Sequence, residues 1–330
     1  MADPQSVAER LRARSVRLDT RQILVTDFRQ TAQKGDLTEP PNCGGVGRLR
    51  HFRRITAEGW PSNPLPTDPA SRALGLGHLD MLRVQLFQNA ACNWRCWYCY
   101  VPFPQLAARP ETSQWLTPTE LVERYLNEDG RPPVLVLSGG QPDLVPEWVP
   151  WTMEALEQLG VSDRVYLWSD DNLSTDFVWK YLTDADRERM SSYDNYGRVG
   201  CFKGFNETSF AFNTKASPDQ YAKQFTHFAR LATLGVDLYA YVTFTTPPVP
   251  NVRDDIRRFV DALQVISEEL PLRTVPLCIQ EFGPTRQRMS DERRDALKSQ
   301  FEAVDAWVAE LEDRFSPSLR AREIGDVPRP

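Results

Sequence analysis

No stretch of this sequence approaches the roughly 18 consecutive apolar residues that a membrane-spanning helix needs. Residues 1–21 are polar throughout and contain no apolar segment of the kind that signal peptides carry. Basic residues are not in excess, since 39 Lys and Arg face 45 Asp and Glu, a net charge of −6. This balance argues against broad electrostatic binding of nucleic acid or anionic lipid, so we expect a cytoplasmic protein without nucleic-acid or membrane partners.

Cysteine is sparse, with six in 330 residues, and its spacing does not match a disulfide framework. Three of the six, Cys92, Cys96 and Cys99, fall in one short segment, which suggests a bound metal. The chain is long enough, and at 41% hydrophobic residues apolar enough, to bury a full core. No internal repeat or low-complexity tract is evident in the sequence.

From Leu82 onward, short β-rich segments alternate with amphipathic segments. We predict strands at residues 82–88, 133–137, 164–168, 199–203, 237–244 and 274–279, and late helices at 254–268 and 291–312. Because parallel strands are joined by crossovers that cover the sheet, this alternation predicts a parallel α/β sheet with helices outside it. Six such units form a barrel or an open sheet, and in both cases functional loops meet at the carboxyl ends of the strands.

Two helix starts share one signature. The segments 117–120 and 217–220 each place Thr or Ser, then Pro, then Glu or Gln, in the order of a capping box with proline at the first helical position. We therefore predict helices that begin at Pro118 and at Pro218.

The first eighty residues differ from the rest. Residues 6–17 predict a short polar helix, and residues 37–69 are rich in proline and glycine with little periodicity. We interpret residues 37–69 as an irregular arm packed on a later domain, with a disordered tail as the alternative. The predicted organisation is an N-terminal extension at 1–80, a core domain at 81–290, and a C-terminal helix and tail at 291–330.

The most informative segment is the cysteine loop, Cys92 to Cys99, which follows the first predicted core strand. Three thiolates in one short loop can converge on a single inorganic centre. A structural zinc site needs four protein ligands, and the remaining cysteines are isolated in sequence, so a fourth ligand would have to come from far away. An iron-sulfur cluster with three protein ligands would leave one iron open to a cofactor or substrate. Aromatic residues that would shield such a cluster from water are Trp94, Trp97 and Tyr98.

The C-x-x-x-C-x-x-C pattern after the first strand resembles the signature of the radical S-adenosylmethionine (SAM) enzymes. In that family the three cysteines hold a [4Fe-4S] cluster whose open iron binds SAM, and an aromatic residue such as Tyr98 typically precedes the last cysteine. The segment 138–142, Ser-Gly-Gly-Gln-Pro, is similar to the Gly-Gly-Glu-Pro motif that ends the family's second strand. The resemblance spans about residues 82–286 and implies a partial (β/α)6 TIM-like barrel with an irregular N-terminal extension.

The resemblance also implies a set of SAM-binding residues. They are Tyr98, Ser138, Gly139, Gly140, Gln141 and Pro142. Gln141 stands where most members have glutamate, and its amide oxygen can accept a hydrogen bond from the SAM amino group without a formal charge. Ser169 and Asn172, after the third strand, are placed for the ribose or methionyl part of SAM, although such residues are also ordinary loop composition.

Two candidate catalytic residues end later strands. Lys203 matches the lysine of a strand found in enzymes similar to pyruvate formate-lyase activase, and it could bind the SAM carboxylate or a substrate acid. The alternative for Lys203 is a surface lysine whose stem packs along the protein. Glu281 is a candidate substrate contact or proton donor, against a role in capping the following turn. In the N-terminal extension, Arg48, Arg50 and His51 could bind an anionic substrate if that segment closes over the barrel mouth.

The family reaction implied is reductive cleavage of SAM to a 5′-deoxyadenosyl radical, which abstracts hydrogen from a substrate. An external donor such as flavodoxin or ferredoxin would supply the electron. We expect a small-molecule substrate, because the chain also resembles antibiotic-tailoring members that decarboxylate cytosylglucuronic acid, a uronic acid nucleoside. A lyase of nucleoside-antibiotic biosynthesis is therefore the favoured reaction class. The alternatives are a glycyl-radical enzyme activase and a zinc-binding interaction module.

Overall fold

The computed structural model describes residues 4–36 and 38–330; Leu37, with which the predicted irregular arm begins, lies outside them, as do residues 1–3. The strands are β1 (Val16–Arg17), β2 (Gln22–Thr26), β3 (Gly47–Arg53), β4 (Met81–Gln88), β5 (Ser113–Leu116), β6 (Val134–Ser138), β7 (Tyr166–Asp171), β8 (Tyr196–Phe202), β9 (Asp237–Thr243) and β10 (Thr274–Leu277). The helices are α1 (Pro4–Arg12), α2 (Thr67–Leu74), α3 (Pro118–Leu126), α4 (Trp148–Gln158), α5 (Phe177–Tyr181), α6 (Asp184–Ser192), α7 (Glu207–Thr214), α8 (Tyr221–Ala232), α9 (Val252–Ile266), α10 (Gly283–Arg286), α11 (Asp291–Arg314) and α12 (Pro317–Arg320). None of these helices combines the length and the low polarity that crossing a bilayer requires.

The main sheet has seven strands in the order β10-β9-β8-β7-β6-β4-β3 and curls into a half barrel. Every neighbouring pair from β10 to β4 is parallel, and only β3 runs antiparallel to its neighbour β4. The predicted partial barrel of six parallel strands is therefore confirmed. A second sheet, of three strands, joins β1, β2 and β5.

The two faces of the curled sheet are both apolar, and successive strand residues alternate between them. Leu135 and Leu137 face outward, into a cluster built with apolar residues of α3, α4, α8, α9 and α11. Val134 and Val136 face inward. The inner cluster consists mainly of Leu82, Val84, Leu86, Val134, Val136, Tyr166, Trp168, Val199, Cys201, Tyr239, Tyr241 and Val275. Burial on both faces is typical of a parallel sheet whose crossovers cover the outside.

Part of the predicted irregular arm is a regular strand. β3 pairs with β4 over its whole length, from Gly47 opposite Phe87 to Arg53 opposite Met81. The prediction missed it because arginine, histidine and glycine interrupt the apolar pattern that indicates a strand. Farther along the arm, Leu65 and Ala70 are fully buried in the inner cluster, so this part of the N-terminal extension packs on the barrel.

One of the two predicted capping boxes forms. The Thr117 hydroxyl accepts from the Glu120 amide at 3.2 Å, and the Glu120 carboxylate accepts from the Thr117 amide at 2.7 Å, so α3 begins as predicted. The second capping box does not form, although the chain becomes helical at Pro218 as predicted. Ser217 makes no capping bond, a short 3₁₀ turn occupies Pro218–Gln220, and α8 begins only at Tyr221. The Gln220 amide donates instead to Asp219, its neighbour, at 2.7 Å.

Candidate functional site

A cavity of about 550 Å³ opens at the carboxyl ends of the barrel strands. Its lining brings together most of the residues that the sequence predicted, namely Cys92, Cys96, Tyr98, Cys99, Ser138, Gly139, Gly140, Gln141, Asn172 and Lys203. Pro142, Ser169 and Glu281 do not line it. The cavity also includes residues that the sequence did not single out for a role, among them Tyr100, Asp170, Cys201, Cys278 and Tyr241.

Hydrogen bonds to Asn213, a residue of α7, hold the cysteine loop in place. The Trp97 amide donates to the backbone oxygen of Asn213 at 3.1 Å, and the Trp97 indole nitrogen donates to the Asn213 side-chain oxygen at 3.0 Å. The Asn213 side-chain nitrogen donates in turn to the backbone oxygens of Lys203 and Thr245, both at 2.9 Å. One buried asparagine therefore ties the loop to the ends of β8 and β9.

Arg288, which follows α10, holds the other side of the loop. Its guanidinium donates to the backbone oxygens of Cys99 at 2.7 Å and Val101 at 3.0 Å, and more weakly to that of Trp97 at 3.3 Å. The guanidinium carbon also lies 4.0 Å from the centre of the Phe103 ring. These bonds satisfy carbonyl groups that the irregular loop cannot pair within itself.

Cys92 and Cys96 are buried, Cys99 is half-buried, and all three thiols are protonated in the absence of a ligand. Burial raises the pKa of Cys92 to about 11 and that of Cys96 to about 12, and it also raises the pKa of Cys99. A bound metal centre reverses this preference, because its charge stabilises the thiolate form. The donor set therefore fits a thiolate-bound centre chemically.

No group of three or more His, Cys, Asp or Glu within residues 4–36 and 38–330 is arranged to hold a single metal ion. The cysteines of a [4Fe-4S] cluster each bind a different iron, so they do not approach one another as ligands of one ion do. The cluster consequently stays a prediction from the three thiols and their shared cavity.

The Lys203 ammonium faces the thiols of the cysteine loop. The side chain is half-buried in the cavity wall, and its Nζ has no hydrogen-bond or ion-pair partner among the described residues. Burial lowers the pKa of Lys203, whereas Cys201, Tyr98 and the loop cysteines, in their ionised forms, raise it; the pKa stays above its usual value, so the amine is a cation at neutral pH. A cation in a cavity wall that has no partner among the described residues is suited to an anionic ligand.

The Gly139–Gly140 turn approaches the backbone that precedes the cysteine loop. Gly140 has φ +63°, and a Cβ atom there would lie 2.4 Å from the backbone oxygens of both Asn89 and Ala91. The amide of the next residue, Gln141, donates to that Ala91 oxygen at 2.7 Å. Glycine is therefore required, because only a residue without Cβ lets the two segments meet this closely.

Gln141 has both ends of its amide bound within the protein. Nε2 donates to Oδ1 of Asp171 at 2.6 Å, and Oε1 accepts from the backbone amide of Asn172 at 2.9 Å. An amide oxygen has two lone pairs, so one remains for a ligand. The predicted contact between this oxygen and the SAM amino group stays a prediction, and the structure adds that the amide joins the ends of β6 and β7.

Asp171, the partner of the Gln141 amide, also lies beside Arg198, which is fully buried between two carboxylates. Arg198 donates to Asp143 and lies 3.2 Å from Asp171. Asp171 therefore needs donors on both sides, Arg198 on one and the Gln141 amide on the other. This requirement gives a physical reason for glutamine, rather than glutamate, at position 141.

Asp170, not Ser169, lies in the cavity. Trp168 faces the barrel interior, and because strand residues alternate, Asp170 faces inward and Ser169 outward, where the Ser169 hydroxyl bonds to the phenol of Tyr196 at 2.7 Å. The Asp170 carboxylate accepts from Ser138, the inward residue of the adjacent strand, and from the Trp168 indole at 3.0 Å. Period-two counting identifies Asp170 only once Trp168 is known to face inward, which the sequence does not show.

The remaining predicted residues are placed as follows. Asn172 lies over the cysteine loop, with its Nδ2 3.6 Å from the Cys92 sulfur and 3.1 Å from Oδ1 of Asn93. Glu281 is exposed and lies 3.6 Å from Arg286, so its role as a proton donor has no support from the geometry. Pro142 is buried at the start of a 3₁₀ turn. His51 lines the cavity rim, 3.6 Å from Glu39.

Comparisons with known proteins add a likeness of overall fold. No family model matches the chain, and no curated protein sequence matches it. Among solved structures, Streptococcus suis SuiB bound to its precursor peptide SuiA matches at 13% identity and a TM-score of 0.46, over 69% of this chain and 46% of SuiB. SuiB bound to S-adenosylmethionine matches at 14% identity and a TM-score of 0.43, over 68% and 46% of the two chains.

A third solved structure, polyhistidine-tagged anSMEcpe with bound AdoMet, matches at 13% identity and a TM-score of 0.45, over 68% of this chain and 57% of that chain. The chain thus spans about half the length of the solved proteins it matches. Identities and TM-scores this low assign neither a family nor an activity, which must be argued from the residues of the chain itself.

Proposed function

We propose that this chain is a cytoplasmic radical SAM enzyme that acts on a small molecule. The observation that carries the proposal is the shared cavity, which the thiols of Cys92, Cys96 and Cys99 line together with the Gly139–Gly140 turn and the Lys203 ammonium. When bound, a [4Fe-4S] cluster and SAM supply one-electron cleavage of a carbon–sulfur bond and the hydrogen abstraction that follows it. We also propose that an external donor such as flavodoxin or ferredoxin supplies the electron.

The protein's own residues would hold, orient and enclose these groups. Cys92, Cys96 and Cys99 would hold the cluster as thiolates, and the Lys203 ammonium would offset part of their negative charge. The Gly139–Gly140 turn, which lines the cavity, would present backbone rather than side chains to the ligand. Aromatic side chains in the wall, including Trp94 and Tyr98, would exclude water from the reacting atoms.

For the substrate we propose a sugar or nucleoside with a carboxylate, decarboxylated in nucleoside-antibiotic biosynthesis. The support is the size of the cavity, about 550 Å³, and the cations in its wall. Loss of carbon dioxide from a ring radical requires the carboxylate to be held in a fixed position before the reaction.

Anaerobic reconstitution with iron and sulfide tests the proposal. The reconstituted protein should be brown and, with dithionite and SAM, should release 5′-deoxyadenosine. Cys96→Ala should abolish this release while leaving the protein folded by circular dichroism. Cys43→Ala is the matched control, because Cys43 is buried away from the cavity. A colourless, iron-poor wild type, or full SAM cleavage by Cys96→Ala, would overturn the proposal, and zinc in place of iron would indicate an interaction module.

A further inference from the structure

The edge strand β3 contributes polar side chains to the barrel interior. Residues opposite each other in an antiparallel pair lie on the same face of the sheet. Arg50 is opposite Val84 and Phe52 is opposite Leu82, and both partners belong to the inner cluster. The side chains of Arg50 and Phe52 therefore face the interior, and both residues line the cavity.

The Arg50 guanidinium packs against two aromatic rings. Its central carbon lies 4.7 Å from the centre of the Tyr100 ring and 5.1 Å from that of Phe52. No hydrogen-bond acceptor or ion-pair partner for Arg50 occurs in the described part of the chain. Contacts between a guanidinium and ring faces fix its plane and leave the N–H groups at its edge available to a ligand.

The charges that face the cavity are not balanced. Arg50 and Lys203 are cations without partners among the described residues, whereas Asp170 is the carboxylate beside them and already accepts from Ser138 and Trp168. The other nearby carboxylate, Asp171, lies against Arg198. Cations in this wall therefore outnumber the carboxylates that face them, which suits an anionic ligand.

The two cations lie on different parts of the sheet. Lys203 follows β8, whereas Arg50 is on β3, and the strands β7, β6 and β4 separate them in the sheet order. Lys203 faces the thiols of the loop, so the Arg50 guanidinium remains for an anion at the β3 side of the cavity.

From these observations the geometry points to Arg50 as the residue that binds the carboxylate of the substrate, with the planar guanidinium edge paired to the planar carboxylate. This inference rests on the proposed function, and it names the residue that gives the enzyme its specificity for a carboxylate substrate. A phosphoryl group presents the same oxyanion chemistry, but it carries more than one negative charge near neutral pH. A carboxylate is the anion that the proposed substrate carries, and a phosphoryl compound is a separate arm of the test.

Isothermal titration calorimetry on the anaerobically reconstituted protein with SAM tests this inference. The ligands are matched pairs, glucuronate with glucose and uridine 5′-carboxylate with uridine, with glucose 6-phosphate as the phosphoryl arm. We expect at least one carboxylate to bind more tightly than its neutral counterpart. Arg50→Met should weaken that binding by about 10- to 100-fold, the effect of losing a charge-assisted pair, and should leave the neutral ligand unaffected.

Two further variants separate recognition from folding. Arg50→Lys keeps the charge but loses the planar edge, so it should recover only part of the affinity. Arg17→Met is the matched control, because the Arg17 guanidinium also stacks on an aromatic ring, Trp115 at 4.1 Å, but lies outside the cavity. Arg17→Met should bind the carboxylate as the wild type does.

Three results would overturn the inference: no preference of the wild type for a carboxylate, unchanged carboxylate affinity in Arg50→Met, or an Arg50 effect confined to SAM or to glucose 6-phosphate. The proposed function fails separately, if the wild type with SAM and dithionite releases no 5′-deoxyadenosine. Ligand binding measured by calorimetry does not require that reaction, so the two failures are distinguishable.

Discussion

Gln141→Glu tests how the Gly139–Gly140 turn is anchored, because it exchanges one amide nitrogen for an oxygen. That nitrogen donates to Asp171 over 2.6 Å in the structure. A glutamate in the same position would bring one of its carboxylate oxygens within hydrogen-bond distance of the Asp171 carboxylate. One of these two carboxyl groups must then hold a proton. We expect the change to destabilise the fold, even though it restores the residue found in most members of the family that the sequence resembles.

The magnitude follows from the proton that the introduced carboxyl must keep. A glutamate in the unfolded chain has a pKa of about 4.3, and keeping it protonated costs about 1.36 kcal/mol for each pH unit above that value. The loss of unfolding free energy is then up to about 3.7 kcal/mol at pH 7 and about 1 kcal/mol at pH 5. Because the folded-state pKa of the new group is raised, the variant should match the wild type in acid and become less stable as the pH rises.

Urea unfolding followed by tryptophan fluorescence at several pH values measures this difference. Gln158→Glu is the matched control, since the Gln158 amide also donates to a carboxylate, that of Glu154 at 3.0 Å, but on an exposed helix face. Its cost should stay near about 0.5 kcal/mol. If Gln141→Glu were as stable as the wild type at pH 7, or bound SAM more tightly, the amide would not be anchored by Asp171 and the reasoning would be refuted.

Two further predictions concern the same cavity. Gly140→Ala should cost about 2–4 kcal/mol of unfolding free energy, because it adds a clash with two backbone oxygens to the strain of a positive φ. Gly160→Ala, with φ +65° and open space around it, should cost only about 1–2 kcal/mol, and equal costs in urea would contradict the close approach. Arg288→Met should lower the iron retained after reconstitution at least about tenfold, since it removes the bonds to three loop carbonyls. Arg286→Met, at an exposed neighbour, should retain iron normally, and equal retention by both variants would show that the clamp is not needed.

The sequence was informative about which strands exist and uninformative about which of their faces is inside. In a parallel sheet covered by helices, both faces of a strand are apolar, so a run such as Val134 to Leu137 contains no signal of direction. The prediction consequently selected Ser169, whereas the structure brings Asp170 into the cavity. For β3 the strand itself was missed, although Arg50 was named as a residue that could bind an anionic substrate, and the structure places Arg50 at the cavity.

The sequence by itself determined the local chemistry. Three cysteines within one short loop must lie close together whatever the fold, and two consecutive glycines after a strand predict a tight turn, because short chain segments limit how far their residues can separate. Only the tertiary structure decided which distant residues join them. Arg50, Lys203, Asn213 and Arg288 come from separate parts of the chain, and sheet order, barrel curvature and side-chain packing bring them to the cysteine loop. Such contacts depend on how elements pack, which no local pattern records.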